Sequence, residues 1–360
     1  LAQYISRSLE RHLGIGKPWD LDRATGGLHI LHPHLGFRAA DWYRGTADAL
    51  YQNMSILESR DSEHILILSG DHVYNMDYGE FLEYHINSDR PATVAVTDVP
   101  GSMTRHFGIA TINSGGKILR FDEKPITARS KLASMGIYIF DRRFLMSTME
   151  RLKKSHDDLD FGKHILPDLV SRGKVSAFRY DGFWLDIGTL KSYYRANLSL
   201  LSKKPRLELS GVSYGVMTVS NDHPPMRMMK GSMIERAMIC SGSEISGTVR
   251  SSILSPGVVV EKGAIVEDSI IMQDCVIGSG AHVKNVILDK EVRVGSGTVI
   301  GPGNARKAND IQPEYLDFGV TLVGKGTRIP SGIRIGTNCL VAGRVPRTDI
   351  RDGSSSIIEN

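Results

Sequence analysis

The sequence has few of the features that mark secreted or membrane-bound proteins. It contains three cysteines in 360 residues, Cys240, Cys275 and Cys339, with neither CxxC spacing nor an even number for pairing. This excludes a disulfide framework and favours reduced thiols. Apolar runs, such as the one at 65–68, are far shorter than the roughly 20 residues that a membrane helix needs. We therefore expect a soluble cytoplasmic protein with no membrane association.

Charge of one sign is not concentrated in any part of the sequence. The formal net charge is +4, and 23% of the residues are charged. Without a basic tail or stripe, the sequence gives no indication of binding to nucleic acid or to a membrane surface. We expect the ligands to be small anions.

The length and the periodicity indicate two domains joined by a linker. A chain of 360 residues exceeds one ordinary core. Residues 1–203 alternate β-rich runs, at 64–68, 92–96, 136–140 and 174–178, with helical periodicity at 46–57, 78–87, 142–153 and 191–201. This alternation predicts an α/β domain with a mainly parallel, Rossmann-like sheet. Residues 204–230 contain Pro224 and Pro225, which interrupt regular structure, and are predicted to be the linker.

Residues 231–360 carry an aliphatic repeat with a period of six. The repeat opens with isoleucines at 239 and 245 and, after a slip of two residues, continues through Ile253, Val259, Ile265, Ile271, Ile277, Val283, Val294, Ile300, Ile329 and Ile335. One inward aliphatic side chain per six residues suits a three-sided coil of stacked strands. We predict a left-handed parallel β-helix of hexapeptide repeats that serves oligomerisation. An antiparallel β domain would show a period of two instead.

Acyl transfer is an alternative use of a hexapeptide β-helix. Such enzymes usually depend on a histidine base, and the repeat region offers only His282. A single histidine in a coil is more often structural, so we favour assembly over acyl transfer as the role of this domain.

Three motifs in the first domain place polar residues beside predicted strands and helices. They are WYRGTADA at 42–49, GDHVY at 70–74 and FDEKP at 121–125. In this order and spacing the motifs resemble the sugar nucleotide pyrophosphorylases, and the first resembles the bacterial glucose-1-phosphate adenylyltransferases most closely. The segment GIGKPWDL at 14–21 is also similar to that family, and the resemblance covers nearly the whole chain from Gln3.

The resemblance implies a reaction and a set of partners. ATP and glucose 1-phosphate would give ADP-glucose and pyrophosphate for glycogen synthesis. The protein would form a homotetramer or a related hetero-oligomer, and small-molecule allosteric effectors would control it. Attack of a phosphate oxygen on the α-phosphate needs mainly positioning and charge neutralisation, because the attacking oxygen is already ionised.

The resemblance also implies roles for individual residues. Asp71 and Asp186 would hold Mg²⁺, which prefers a few carboxylate oxygens together with phosphate and water. These two aspartates and Lys124 are the predicted catalytic residues. The predicted substrate-binding residues are Tyr43, Arg44, Gly45 and Asp48 on the nucleotide side, and Gly108, Glu123, Lys124, Ser134, Tyr138, Asp160 and Trp184 on the sugar side.

One part of the family pattern is absent from the given sequence. The family opens with a strand, a glycine-rich loop carrying an arginine and then a lysine–proline pair, and nothing before Trp42 provides them. We expect that the chain is truncated at its N-terminus, lacks its first strand and is inactive by itself. The alternatives are a noncatalytic regulatory subunit and a pyrophosphorylase that uses another nucleotide, such as UTP or dTTP. Retention of Asp71, Glu123, Lys124 and Asp186 argues against the regulatory subunit.

Overall fold

The computed structural model describes residues 1–3, 7–23, 25–33, 42–207, 217–219 and 222–358. The chain forms two compact units, Leu1–Trp184 with Met217–Val219 and Leu185–Val216 with Ser220–Asn360. The predicted linker falls partly outside the described residues, at 208–216 and 220–221. None of the helices that the structure describes has the length and apolar character needed to cross a membrane.

The first unit combines short helices with a central sheet. Its helices are α1 (Arg7–Leu13), α2 (Thr46–Tyr51), α3 (Met54–Glu58), α4 (Tyr78–Asn87), α5 (Arg142–Lys153) and α6 (Leu166–Ser171), with 3-10 turns at Lys17–Trp19 and Gly101–His106 and a π-helical turn at Phe161–Ile165. Its strands are β1 (His64–Leu68), β2 (His72–Tyr74), β3 (Ala92–Asp98), β4 (Gly108–Ile112), β5 (Ile118–Glu123), β6 (Leu132–Asp141), β7 (Val175–Arg179) and β8 (Trp184–Asp186), and the division between the units falls within β8.

The central sheet is mixed because β6 runs against its neighbours. The ten-residue β6 pairs antiparallel with β3 along one edge and with β1 and β4 along the other. Strand β7 pairs parallel with β3, and β5 pairs antiparallel with β4. Strands β1, β3, β4 and β7 therefore share one direction, as predicted for strands linked by helices, while β5 and β6 run the other way. The α/β class is confirmed, and the expected mainly parallel sheet is corrected to a mixed one.

Helix α5 shows how the sequence builds the core of the first unit. Leu145, Met149 and Leu152 lie three or four residues apart, which places them on one face of the helix, and all three are buried. They pack in one cluster with Val94 of β3 and Phe140 of β6. The apolar face of the helix therefore covers one face of the sheet and holds the strand ends in place.

The second unit is a parallel β-helix, as the repeat predicted. Its strands are numbered in chain order and stack into three sheets. The first contains β10 (Met233–Glu235), β13 (Thr248–Arg250), β16 (Ile265–Glu267), β19 (His282–Lys284), β22 (Val299–Ile300) and β25 (Arg334–Ile335); the second contains β11 (Met238–Ile239), β14 (Ile253–Leu254), β17 (Ile270–Ile271), β20 (Val286–Leu288), β23 (Thr321–Val323), β26 (Leu340–Gly343) and β27 (Ser355–Ile358); the third contains β9 (Arg227–Met228), β12 (Glu244–Ile245), β15 (Val259–Val260), β18 (Val276–Ile277), β21 (Arg293–Val294) and β24 (Arg328–Ile329).

The phase of the repeat differs from the predicted one over three coil faces. Leu254, Val260 and Val266 are fully buried, whereas the predicted inward residues Ile253, Val259 and Ile265 are only partly buried. From Ile271 onward the predicted residues do point into the core. Adjacent aliphatic pairs such as Ile253-Leu254 fit a period of six in either phase, so the stacking of neighbouring coils decides which member lies inside.

Helix α7 (Leu190–Ser199) belongs to the second unit. A capping box starts it, in which the Ser192 amide donates to Thr189 Oγ1 at 3.1 Å and the Thr189 amide donates to Ser192 Oγ at 3.2 Å. Tyr193, Tyr194 and Leu198 pack against apolar side chains on the outside of the coils, namely Ile270, Ile287 and Val320. The α7 helix therefore groups with the β-helix, and the domain boundaries at 203 and 231 stay a prediction.

Removing an inward side chain should destabilise the β-helix, whereas removing its strand neighbour should not. Ile329 is buried and Arg328, beside it on β24, is exposed. We expect Ile329→Ala to lower the free energy of unfolding by about 2 to 5 kcal/mol because it leaves a cavity. Arg328→Ala should change it by less than about 0.5 kcal/mol. Urea denaturation followed by circular dichroism measures both, and equal effects would contradict the assigned phase.

Candidate functional site

The Glu123 carboxylate lies between two glycines that leave no room for a side chain. Gly108 pairs with Glu123 across β4 and β5. A Cβ atom added to Gly108 would come within 2.3 Å of Phe121 Cζ and 2.9 Å of Glu123 Oε2, and one added to Gly162 would come within 2.5 Å of the same oxygen. All three distances are shorter than a van der Waals contact. Glycine at these two positions therefore lets the carboxylate fit between the sheet and the π-helical turn.

Asp160 joins that turn to the start of helix α2. Its Oδ1 accepts hydrogen bonds from the amides of Gly162 at 2.9 Å and Lys163 at 3.0 Å. Its Oδ2 accepts from Thr46 Oγ1 at 2.9 Å, and Thr46 Oγ1 accepts from the amide of Phe161 at 3.1 Å. Short π-helical segments occur frequently at functional sites. Two chain segments more than a hundred residues apart are thereby fixed beside Glu123.

The loop before α2 is held against the same region by backbone contact. A Cβ atom on Gly45 would lie 2.3 Å from the carbonyl oxygen of Leu159, so only glycine fits. The Asp48 amide donates to that carbonyl at 2.7 Å. Tyr43 is fixed by Asn53, whose Nδ2 donates to the tyrosine hydroxyl at 3.0 Å.

Asp48 is a buried carboxylate with three protein partners. Its side chain is 1% exposed. Its Oδ2 accepts from the Arg44 amide at 3.0 Å and from Gln52 Nε2 at 2.9 Å, and its Oδ1 accepts from Lys153 Nζ at 2.6 Å. These contacts give Asp48 a positioning role for the loop, whereas its direct contact with a substrate stays a prediction. The Arg44 side chain itself is exposed.

The pocket around Glu123 is rich in acceptors. Burial raises the pKa of the Glu123 carboxyl; Asp160 raises it further, while Lys124 and Lys163 lower it. Burial also raises the pKa of Tyr138 to about 12, with a further rise from the charges of Glu123 and Asp160. The Tyr138 ring stacks on Phe161 with 5.6 Å between the ring centroids. A ligand that donates several hydrogen bonds, such as a polyol, suits this pocket.

Lys124 has an unusual backbone conformation next to Glu123. Its φ angle is +47°, in the left-handed region that non-glycine residues rarely adopt. Its amide donates to the carbonyl oxygen of Phe107 at 3.1 Å. Strained residues of this kind cluster at functional sites, because the surrounding structure must hold them there.

Asp71 and Trp184 lie around His72, which sequence reasoning included only within a motif, whereas Ser134 is a hydrogen-bond partner of the Tyr138 side chain. Asp71 Oδ1 accepts from Ser69 Oγ at 2.6 Å and lies 3.5 Å from His72 Nε2. His72 Nδ1 donates to the carbonyl of Met135, next to Ser134, at 2.7 Å. A carbonyl only accepts, so this contact places a proton on Nδ1. The neighbouring aspartate in the GDHVY motif was the signal that could have identified His72.

Trp184 offers a buried donor. Its ring makes edge contacts with His72 and Phe107, each with 5.1 Å between centroids. Its Nε1 is buried and has no hydrogen-bond partner among the residues that the structure describes. Buried donors are almost always satisfied in native proteins, so this N–H is a candidate contact for a ligand acceptor.

The predicted residues thus fall into three groups. Gly108, Glu123, Tyr138 and Asp160 are brought together, and Thr46 connects them to the loop of Tyr43, Arg44, Gly45 and Asp48. The second group is the cluster around His72. Asp186 lies in the second unit, where its Oδ1 accepts from the Gly188 amide at 2.7 Å. Gly162 and Lys153 were missed, since their partners are distant in sequence.

Comparisons with known proteins agree with both units. The profile of the nucleotidyl transferase family matches residues 1–203, and a GlmU-like C-terminal hexapeptide profile matches residues 224–323. A glucose-1-phosphate adenylyltransferase of Thermomicrobium roseum is 42% identical over 97% of this chain and 82% of its own length. Those of Thermotoga neapolitana and Acetivibrio thermocellus are 38% and 37% identical, over 98% and 95% of this chain and 84% and 80% of their own lengths.

Loss of the Lys153 charge should leave Asp48 as an uncompensated buried carboxylate. We expect Lys153→Met to lower the free energy of unfolding of the first unit by about 3 to 5 kcal/mol. Lys154→Met is the matched control, because Lys154 is the exposed next residue, and it should cost less than about 0.5 kcal/mol. Chemical denaturation measures both variants. A similar small effect for both would show that the pair does not anchor the loop.

The raised pKa of Glu123 predicts a pH-dependent effect of Glu123→Gln. Ionisation costs more in the folded than in the unfolded state, so wild type loses stability as the pH rises from the ordinary glutamate pKa through the raised one. We expect Glu123→Gln to unfold at higher denaturant concentration than wild type at pH 7, with no difference below about pH 4. Unfolding titrations at both values test this, and a variant less stable at pH 7 would contradict it.

Glu267 provides a control, because its replacement should change stability in the direction opposite to that of Glu123→Gln. Burial acts to raise the pKa of Glu267, but hydrogen bonds from Arg250 and His282 and the charge of Lys284 outweigh it and hold the pKa below its usual range. The ionised form is therefore favoured by folding. Glu267→Gln should lower stability at pH 7, and the loss should shrink as the pH falls through the lowered pKa.

Proposed function

The chain belongs to the glucose-1-phosphate adenylyltransferase family of nucleotidyltransferases, and from that premise we propose that it converts ATP and glucose 1-phosphate to ADP-glucose and pyrophosphate. The observation that carries the proposal is the Glu123 carboxylate held between Gly108 and Gly162 beside Asp160. This acceptor-rich pocket suits the hydroxyl groups of a hexose, and Lys124 follows it directly in the chain.

The sugar phosphate is bound on this side of the site. Glu123 and Asp160 accept hydrogen bonds from glucose hydroxyls, and the buried Trp184 Nε1 donates to an acceptor of the ligand. Ser134 and Tyr138 line the same pocket. Lys124 neutralises the phosphate as a point charge, which is how lysine usually recognises phosphate. Support comes from the burial of Glu123 and from the Trp184 indole N–H, which lacks a hydrogen-bond partner among the described residues.

The nucleotide is bound by the loop from Tyr43 to Asp48. Gly45 allows close approach of the backbone, and Arg44 is exposed and available for phosphate. Asp48 acts through the loop, because it is only 1% exposed and its oxygens accept from Arg44 N, Gln52 and Lys153. The loop is tied to the sugar pocket through Thr46 and Asp160, and this connection supports joint positioning of the two substrates.

The reaction is an in-line displacement at phosphorus. An oxygen of glucose 1-phosphate forms a bond to the α-phosphorus of ATP, the bond from that phosphorus to the bridging oxygen breaks, and pyrophosphate leaves. The protein contributes orientation and charge neutralisation, so no covalent intermediate with the enzyme is required.

Nucleotidyltransferases of this kind use a divalent metal ion, and we propose Mg²⁺ here. Asp71 and Asp186 would hold the ion, which would neutralise phosphate charge. The donor set fits, because both are aspartate carboxylates and Mg²⁺ takes hard oxygen ligands. In each, one oxygen accepts a single hydrogen bond within its own unit, from Ser69 to Asp71 and from Gly188 to Asp186.

Assembly and regulation complete the proposal. We propose that the protein works in the cytoplasm in glycogen synthesis, as a homotetramer or a related hetero-oligomer, and that small-molecule effectors control it. The β-helix offers flat parallel sheets that suit assembly.

Replacing Asp71 should stop turnover without disturbing assembly. In the protein expressed from its complete natural gene, we expect Asp71→Asn to lower kcat by at least about a hundredfold, since even indirect contacts to metal ligands are worth 10- to 100-fold. Asp98→Asn is the control, because Asp98 is an exposed aspartate that pairs with Arg179, and it should keep wild-type turnover. Pyrophosphate release and gel filtration provide the measurements.

A nucleotide panel separates the proposed reaction from its alternatives. Wild-type protein with ATP, UTP and dTTP should release pyrophosphate fastest with ATP. Faster release with UTP or dTTP would overturn the nucleotide assignment. No turnover with any nucleotide, together with unchanged assembly, would favour a noncatalytic regulatory subunit.

A further inference from the structure

A cluster of two histidines and one aspartate lies at the end of β1 opposite Asp71. His64 begins β1 and Asp141 ends β6, and the two residues are direct partners in the antiparallel register. His85 comes from helix α4, which packs against the sheet, and its side chain is 1% exposed. The cluster therefore joins two strands and a helix of the first unit at a place that the proposed reaction does not use.

The three side chains converge on one point. Asp141 Oδ1 lies 3.2 Å from His64 Nδ1 and 3.2 Å from His85 Nε2. One ligand atom from each residue falls within 4.8 Å of the other two. The two imidazole rings are nearly perpendicular, at 88°, with 5.1 Å between their centroids. Both rings therefore present a nitrogen to the same carboxylate oxygen from different directions.

The two nitrogen–oxygen separations match those between neighbouring ligands of a tetrahedral metal site. Zinc–nitrogen and zinc–oxygen bonds of about 2.0 to 2.2 Å place neighbouring tetrahedral ligands roughly 3.3 to 3.5 Å apart. We propose that His64, His85 and Asp141 form a zinc site that is separate from the candidate active site. A water molecule would take the fourth position, because the Asp141 side chain is 46% exposed and leaves a path from solvent.

The surrounding contacts orient the ligands. Thr93 Oγ1 lies 2.8 Å from His85 Nδ1, so the other ring nitrogen of His85 is turned toward Asp141. Metal-bound histidines typically have such a partner on the second nitrogen. His64 Nδ1 is buried, and its 3.2 Å contact with Asp141 Oδ1 does not have hydrogen-bond geometry, so this nitrogen has no hydrogen-bond partner within the described part of the chain. A metal ion would satisfy that nitrogen, which is otherwise costly to bury.

The chemistry of the donors selects the metal. Two imidazoles and one carboxylate suit zinc and similar transition ions, whereas Mg²⁺ and Ca²⁺ require mainly oxygen ligands. The neighbouring cation Arg142 does not compete for Asp141, because its Nε donates to Ser62 O at 2.6 Å and its Nη1 donates to Leu57 O at 3.1 Å. The site would stabilise the sheet edge and would not take part in adenylyl transfer.

The test is a zinc titration of the metal-stripped full-length protein in excess Mg²⁺, which occupies the proposed Asp71 and Asp186 site. The variants are His64→Gln and Asp141→Asn, and the control is His106→Gln, an exposed histidine outside the cluster. We expect wild type and His106→Gln to bind one equivalent of zinc that both cluster variants lose or bind at least about tenfold more weakly. When cobalt replaces zinc, a visible absorption band should appear in wild type and His106→Gln only.

The difference between variants isolates this site from other histidines. The amount of zinc bound by another group, such as His156, Asp158 and His164, would be the same in all four proteins. Turnover should also be equal in all four, since none of the changed residues lies in the proposed active site. The proposal would be overturned if wild type and His64→Gln bound zinc with equal stoichiometry and affinity. The three residues would then be a histidine–carboxylate cluster that binds no metal. Circular dichroism shows whether each variant is folded. If Asp141→Asn is unfolded, the comparison of His64→Gln with wild type decides the proposal, because His64 is partly exposed.

Discussion

The close packing of the Glu123 carboxylate against two glycines is the constraint on which the candidate site depends. Gly108 belongs to the strand that pairs with Glu123, and Gly162 belongs to a turn that follows a different strand and helix. Neither position tolerates a Cβ atom without moving the carboxylate. The sheet, the π-helical turn and, through Asp160 and Thr46, helix α2 therefore all contribute to the surroundings of the Glu123 carboxylate.

The repulsion between carboxyl groups opposes this arrangement, and hydrogen bonds to the neighbouring carboxylates compensate for part of it. Glu123 and Asp160 are two carboxyl groups near one another, and burial and mutual repulsion disfavour charge on Glu123. Amide donors from Gly162 and Lys163 stabilise Asp160, and Lys153 and two further donors stabilise the buried Asp48. Asp160 is satisfied by the turn that it helps to position, and Asp48 by donors from its own loop and helix and from helix α5. The unit thus accepts a stability cost at Glu123 where ligand hydroxyls have to be recognised, as is common at functional sites.

The local sequence pattern predicted the helices and strands, but it did not predict how segments distant in sequence pair. Helices at 78–87 and 142–153 and the strand at 64–68 were predicted with their observed bounds, because strong periodicity and clear ends fix them. The direction of β6 and the phase of the coils at Leu254 depend on partners far along the chain. The motifs identified Glu123 and Asp160, but nothing local links Lys153 to Asp48 or Gly162 to Glu123. Sequence reasoning therefore identified the residues expected to contact the ligand and missed the residues that hold them in place.

The register of the β-helix coils between Val249 and Ile300 limits how this part of the unit can change in evolution. Val249, Val266, Val283 and Ile300 stack in register on successive coils, so a residue inserted within one of these strands would turn the aliphatic side chain that follows it on that strand away from the core. The segment between β22 and β23 is different. It leaves the coil after Ile300 and returns at Thr321, and the Asn309 amide group holds it by donating to Asn338 O at 2.9 Å and accepting from the amides of Ile311 and Gln312. Length variation among related chains should be concentrated in this excursion, which is where new surface could be gained without disturbing the stack.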